Sequence, residues 1–349
     1  MLRAAVAVFV FCFLICDIPA SAHVKWFLQE GEADLMARPK PELFTHPTWE
    51  NVLVIALGLI ALHLSVVLAR RWASWPLNRY LTAWSVKYES IVGLSMGIFT
   101  GLLMVLSARD YLFLVPNMPI DDRLPDWFAT VQAAAGWGLV LGFFTRASAA
   151  LLLAMLIGSF RTFPILDCLD LIPMYGIASY FLFAGRGRFS IDSLLGLARP
   201  AGITVLNWGY RLLRWSTGLG LVVLGLDEKL LHPQLALDVL AQAPTLNFMH
   251  FAGMPNDLFI LCAGVVEVLV GLVILVGSFP RIGVLFLAGL FVCSTIIFGQ
   301  EELIGHMPYY GVVIALVLRG NGGQEQPSFK LWFGRLVPAL ERLTIYRNP

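Results

Sequence analysis

Residues 257–281 read DLFILCAGVVEVLVGLVILVGSFPR. From Leu258 to Val276 every residue is apolar or glycine except Glu267, a run long enough to cross a hydrocarbon core of ~30 Å as a helix. In lipid the backbone has no water to bond to, so a single strand is excluded and only a helix pairs its own N–H and C=O groups. Arg281 marks the boundary with the next apolar run, 281–298.

Similar runs occur on either side, at 50–69, 90–107, 127–144, 147–165, 170–184, 207–226 and 307–319, which makes nine candidate spans in all. Composition agrees with this reading. Charged residues are 13% of the chain, half the roughly 25% of a soluble domain. With 58% hydrophobic residues in a 349-residue chain, there is little soluble mass outside the spans. A net charge of +1 gives no footing for a nucleic-acid partner. The expected fold class is therefore all-α: a polytopic membrane protein of about nine helices, with the lipid bilayer as its first partner.

The beginning of the chain reads as a secretory signal over 1–22. Arg3 supplies the positive end, Ala4 to Ile15 the apolar stretch, and Ala20-Ser21-Ala22 a small-residue cleavage site. Cleavage there leaves His23 as the mature N-terminus. Of five cysteines, Cys12 and Cys16 lie in that signal, and Cys168, Cys262 and Cys293 are too scattered for a disulfide framework or a zinc site.

Sorting charges by loop sets an expected orientation. Arg70, Arg71, Arg79 and Lys87, then Arg146, Arg186, Arg188, Arg199 and Arg281 fall on one side, and Asp110, Asp121, Asp167, Asp170, Asp227 and Glu228 on the other. Lys and Arg mark the inside, so the mature N-terminus is expected in the periplasm and the C-terminus in the cytoplasm of a bacterial inner membrane. The connectors at 72–88 and 189–200, and the tail at 321–349, mix basic and apolar residues and are expected to lie in the interface.

An internal repeat organises the spans. Gly136, Gly142, Phe144, Arg146, Pro173, Tyr175, Gly176 and Gly185 recur as Gly271, Gly277, Phe279, Arg281, Pro308, Tyr310, Gly311 and Gly320, at one constant offset. This predicts two like-facing four-helix units, 90–188 and 207–320, joined by a connector at 189–206 and preceded by an N-terminal region, 23–89, that holds one extra helix.

Ionisable groups inside spans are costly and mark function by default. Glu267 is the clearest, and its repeat counterpart is the neutral Gln132. Glu267 reads as a proton-handling or ligand-binding carboxylate, or else as a structural hydrogen-bonding residue. Asp227, Glu228, Lys229 and His232 end one span, and Glu301, Glu302 and His306 precede another. Lys229 is the natural partner for Glu267 or for an anionic ligand, with Asp227, Glu302 and His306 as further binding candidates. The histidines and methionines of that side, with a mature His23 terminus and His306, admit a copper-type metal site, though no tight spacing supports it. Gly93, Gly97 and Gly101 form a small-residue stripe for close helix packing.

Several of these residues together resemble a known family. Lys229 at a helix end, Ala263-Gly264-x-x-Glu267 with Gly271 and Gly277, Arg281 opening the next helix, and Gly305-His306 before the last are similar to the DoxX-like family. The resemblance covers 207–320 well and 90–188 weakly. It implies a four-helix membrane unit, some of whose members are linked to quinone-coupled sulfur-compound oxidation or other redox maintenance, and carries Lys229, Glu267 and His306 over as polar-site candidates. The leading expectation is a redox-associated membrane protein that binds a quinone or a small anionic substrate, with Glu267 handling a proton. Two alternatives stand beside it: a metal-handling protein or small-solute transporter, and a non-catalytic assembly factor whose glycine stripes pack a partner.

Overall fold

The computed structural model describes residues 25, 28, 31–73, 80–81, 83–84, 88–121, 124–198 and 201–320. The signal, His23 and the C-terminal tail fall outside them. Two short helices, α1 (Glu32–Met36) and α2 (Glu42–Thr45), lead into the long α3 (Trp49–Ala73). There follow α4 (Glu89–Arg109), α5 (Trp127–Leu141), α6 (Thr145–Ser159), the short α7 (Ile165–Asp170), α8 (Ile172–Ala184) and α9 (Ile191–Leu194). After the connector come α10 (Ile203–Leu224), a π-helical turn (Gly225–Leu231), α11 (Pro233–Gln242), α12 (Asn256–Val276), α13 (Pro280–Phe298) and α14 (Gln300–Arg319). No strand occurs among the described residues.

Each apolar run of the sequence is helical. Three helices are long and apolar enough to cross a membrane, at Trp49–Ala69, Ser90–Arg109 and Asn256–Val276. Shorter apolar helices lie at Trp127–Leu141, Thr145–Ser159, Ile172–Ala184, Pro280–Ile296 and Leu303–Arg319. This is an all-α membrane protein. Only 6% of the apolar window of α3 is buried, against 56% for α4, so α3 is an outlying helix whose surface suits lipid. It touches the rest along α12, where Gly58 faces Val265.

Small residues set the close crossings. Gly101 on α4 meets Gly136 on α5, and Gly218 on α10 meets Gly271 on α12, where an added Cβ would stand 2.7 Å from a carbonyl oxygen. A helix can approach another this closely only without side chains between them. The remaining pairings cross the chain: α8 lies along α10, with Gly176 against Leu213, while α14 lies along α4, with Gly311 against Met96. The two stretches 90–188 and 207–320 therefore share one hydrophobic core, and they are not separate bodies. The glycine stripe of α4 is consumed in this packing: Gly93 and Gly97 face Arg186, and Gly101 faces Gly136. It is not left over for a partner protein.

At the end of the molecule opposite Lys229, arginines finish the helices. Arg214 donates to the carbonyls of Ile274 and Leu275 at the C-terminus of α12, and Arg281 to those of Val317 and Leu318 at the C-terminus of α14. Arg186 donates to Gly93 and Leu94, and Arg319 to Asn207. The carbonyls taken by Arg214 and Arg281 are among the last of their helices, which have no internal partner and carry partial negative charge that a buried guanidinium satisfies; Arg186 instead reaches carbonyls in the first turns of α4, and Arg319 a side-chain amide oxygen.

One boundary differs from the sequence reading. The last span, expected to begin at 307, starts at Gln300 and runs through Pro308. Glu301, Glu302 and His306 thus lie within the first turns of α14, not in a loop before it. Gly299, at φ 82°, supplies the break instead. In the first half, the matching segment does break, between α7 and α8 at Leu171, with Pro173 in the first turn of α8. A proline lacks an N–H, which is free anyway in a first turn; inside a helix, as Pro308 is, it removes one backbone hydrogen bond.

Candidate functional site

The π turn builds the site. It follows α10 directly, and its wider winding places Asp227, Glu228 and Lys229 beside α12. Asp227 and Glu228 are buried. Lys229 lies over Gly264, where an added Cβ would stand 3.0 Å from the Lys229 Cβ. One turn further along α12, Glu267 receives the ammonium, with Nζ 2.7 Å from Oε2. The Gly264-x-x-Glu267 spacing thus has a mechanical meaning: glycine makes room for the lysine stem, and the carboxylate on the same helix face takes its charge. Both side chains remain about one-fifth exposed, at 20% and 21%. Glu228 stands 4.0 Å from the same ammonium.

Beside this pair lies a second ionic cluster that the sequence did not disclose. Lys25, from the segment before α1, is buried with its side chain 1% exposed. Its Nζ lies 3.1 Å from Asp227, 3.4 Å from Glu32, 3.5 Å from Asp167 and 3.6 Å from Asp170. Burial alone would pull a lysine down, but Asp170, Glu32, Asp227 and Asp167 outweigh it and hold the ammonium above the usual lysine range. Burial in turn pushes the Glu32 carboxyl up, against the pull of Lys25. His232 Nδ1 completes the cluster, 2.9 Å from Asp227 Oδ1. Nothing in the local sequence marks Lys25, since its partners lie up to 202 positions away; the acidic ends of α7 and α10 were visible, but not what neutralises them.

The other expected site residues are distributed differently. Asp227 is present but serves Lys25 and His232. His306 is buried, stacked on Phe291 at 4.0 Å between ring centroids and edge-on to Tyr309 at 5.6 Å. This aromatic nest adjoins the acidic site, for Tyr309 lies within electrostatic range of Asp170, Glu228 and Glu267. Glu302 sits in the first turn of α14, and its side chain lies outside the described structure, as does His23 entirely. For metal binding, no three His, Cys, Asp or Glu side chains are grouped to hold an ion among the described residues. An imidazole packed between rings, as His306 is, serves as an aromatic wall.

Gln132, which the sequence offset pairs with Glu267, has a different setting. It is fully buried, and its Nε2 faces the carbonyls of Met104 and Leu112 and the Ser107 hydroxyl, at 3.0–3.2 Å. The neutral amide closes a helix junction from inside, where Glu267 faces a lysine. A cleft of about 660 Å³ is lined by Ile120, Asp121, Leu124, Pro125, Asp126 and Trp127, and by no residue of either ionic cluster.

Comparison with known proteins adds one finding. Residues 209–300 match the DoxX family model. No curated protein and no solved structure gives a match. The matched segment contains Asp227, Lys229, Gly264 and Glu267, the residues that build the ion pair, and stops short of Glu302 and His306. Residues 209–300 of this chain are thus similar to the DoxX family, within an all-α, multi-pass membrane protein.

Proposed function

We propose that the chain is a redox-associated protein of a bacterial inner membrane that binds a quinone headgroup at the Lys229–Glu267 pair. The carrying observation is that pair itself: a carboxylate within an apolar helix, 2.7 Å from a lysine, with both groups part-exposed. Reduction of a quinone takes up two electrons and two protons, and oxidation of the quinol releases them; Glu267 would carry one of the protons and water at the exposed edge of the pair the other. Lys229 would hold a quinone oxygen by its ammonium, Glu267 would accept or return the proton, and the electrons would pass to or from a redox partner. His306, with Phe291 and Tyr309, would offer the ring a flat wall. Between the two ligand classes expected from the sequence, charge favours the neutral one. Among the described residues, the six carboxylates Glu32, Asp167, Asp170, Asp227, Glu228 and Glu267 gather around two lysines, Lys25 and Lys229, with His232 beside Asp227, and an anion brought here would meet net repulsion.

The architecture in this reading is a tandem duplication. The constant sequence offset supports it, as do the paired crossings Gly101–Gly136 and Gly218–Gly271 and the left-handed glycines Gly142 and Gly277 that end α5 and α12. One copy has kept an ionic site and the other has sealed it with Gln132. The orientation follows from the loop charges: the Lys229 end periplasmic, the arginine end cytoplasmic.

Titration of the purified protein with a short-chain ubiquinone, followed by tryptophan fluorescence quenching, tests the function. Saturable quenching is expected, with Glu267→Gln and Lys229→Met each weakening it by about tenfold, the loss of one charge-assisted hydrogen bond. Failure of the unaltered protein to bind, or binding by both variants as tight as that of the unaltered protein, rejects the reading.

A further inference from the structure

The cluster around Lys25 has no part in the chemistry above, yet it is the most heavily charged buried place described. Its three aspartates come from two elements far apart in sequence. Asp167 and Asp170 lie one turn apart on α7, and Asp227 comes from the π turn after α10. All three are nearly inaccessible, at 6%, 6% and 4% exposure, and all three lie within 3.6 Å of one nitrogen. Nζ donates to Asp167 Oδ1 at 3.5 Å and stands at ion-pair distance from Asp170, Asp227 and the more exposed Glu32, and a primary ammonium has three N–H donors to share among them. The donor arrives on a separate strap. Beyond Lys25 the strap is held by buried Leu35, by the Gln234 side chain donating to the Arg38 carbonyl at 2.7 Å, and by Phe44 packed on Ala236, Leu240 and Ile260.

We propose that Asp167, Asp170 and Asp227 form a pocket for a primary ammonium group, built jointly by the two halves of the chain, and that Lys25 fills it as a tethered ligand. While Lys25 is seated, the N-terminal strap clasps α7 to the π turn and so holds the turn that presents Lys229. When it leaves, the three buried carboxylates lose the ammonium nearest to all of them, and the pocket must open to water or admit another ammonium. The seat is selective for a group with N–H donors over a cation of equal charge without them.

A reporter is already in place. Cys168 lies between Asp167 and Asp170 on α7, fully buried, its thiol beside the Ser159 hydroxyl at 3.3 Å. In the full-length protein with the other four cysteines replaced by alanine, maleimide labelling of Cys168 in detergent reads the clasp. Lys25→Ala is expected to raise the labelling rate by about tenfold or more. Ethylammonium at about 10 mM is expected to restore protection, and tetramethylammonium at the same concentration to leave it lost. Unchanged labelling in Lys25→Ala overturns the clasp. Faster labelling that ethylammonium does not slow, or that both cations slow equally, overturns the ammonium pocket. Should Lys25→Ala fail to accumulate, Asp227→Asn poses the same question by removing one wall, with an intermediate rate expected and a rate equal to that of the parent protein overturning the proposal. None of these readouts involves quinone, so the outcome is independent of the function proposed above.

Discussion

Gln132 and Glu267 stand at matching places in the sequence, and their surroundings explain why one is charged and the other is not. Gln132 serves two carbonyls and a hydroxyl without leaving a charge behind. Gln132→Leu should therefore destabilise the protein by about 2–4 kcal/mol, because buried acceptors lose their donor, and thermal unfolding in detergent measures it. A loss below about 1 kcal/mol would mean that water or a neighbour replaces the amide. For Lys25 the prediction concerns pH. Its folded-state pKa is raised above the ordinary value of 10.5, so its stabilising effect is complete below 10.5 and is lost only as pH climbs beyond it. The groups that face it are Glu32, Asp167, Asp170 and Asp227, with His232 behind Asp227. Melting curves between neutral pH and pH 10 should show no loss from this lysine, with a steep decline above, and Lys25→Met should flatten that decline. An equally steep alkaline loss in the variant would assign the effect to other groups.

At the scale of elements, helix contacts depend on what is missing from the glycines and on what the arginines supply. Gly101→Val should prevent α4 and α5 from crossing, since even a methyl group would collide with the backbone of Gly136. Loss of folded protein from the membrane is the expected result. Gly158 is the control: it lies in α6 with nothing within 4 Å of an added Cβ, and Gly158→Ala should be neutral or stabilising by up to about 1 kcal/mol through helix propensity. Arg281→Leu should lower the melting temperature by uncovering the Val317 and Leu318 carbonyls, with a cost of about 1–3 kcal/mol. Recovery by Arg281→Lys is expected to be partial, because a lysine lacks the planar fork that reaches two carbonyls at once.

For the whole molecule, the exchange of last helices between the halves makes them mutually dependent. With α8 lying on α10 and α14 on α4, neither half retains its full packing alone. Expression of 90–188 without the remainder should yield protein sensitive to protease, and co-expression with 201–349 should restore resistance. A first half that is stable alone would show that the crossed pairings add little. Orientation is equally open to measurement. Reporter fusions in the segment after Gly185 and in the segment 243–253 should report opposite compartments, cytoplasmic and periplasmic respectively.

The run from Leu258 to Val276 is enough to establish a membrane helix, because a long apolar segment has one stable answer in lipid whatever surrounds it. The same local reasoning located the other long apolar helices and singled out Lys229 and Glu267, since a charge in an apolar run stands out against its neighbours. Tertiary structure alone decided three further things. It buried Lys25 among carboxylates from both halves, turned arginines read as topological markers into helix caps, and carried α14 through Pro308 so that His306 became part of an aromatic wall. Each depends on groups brought together from distant parts of the chain, and contacts of that kind leave no periodicity or spacing in the sequence around any one of them.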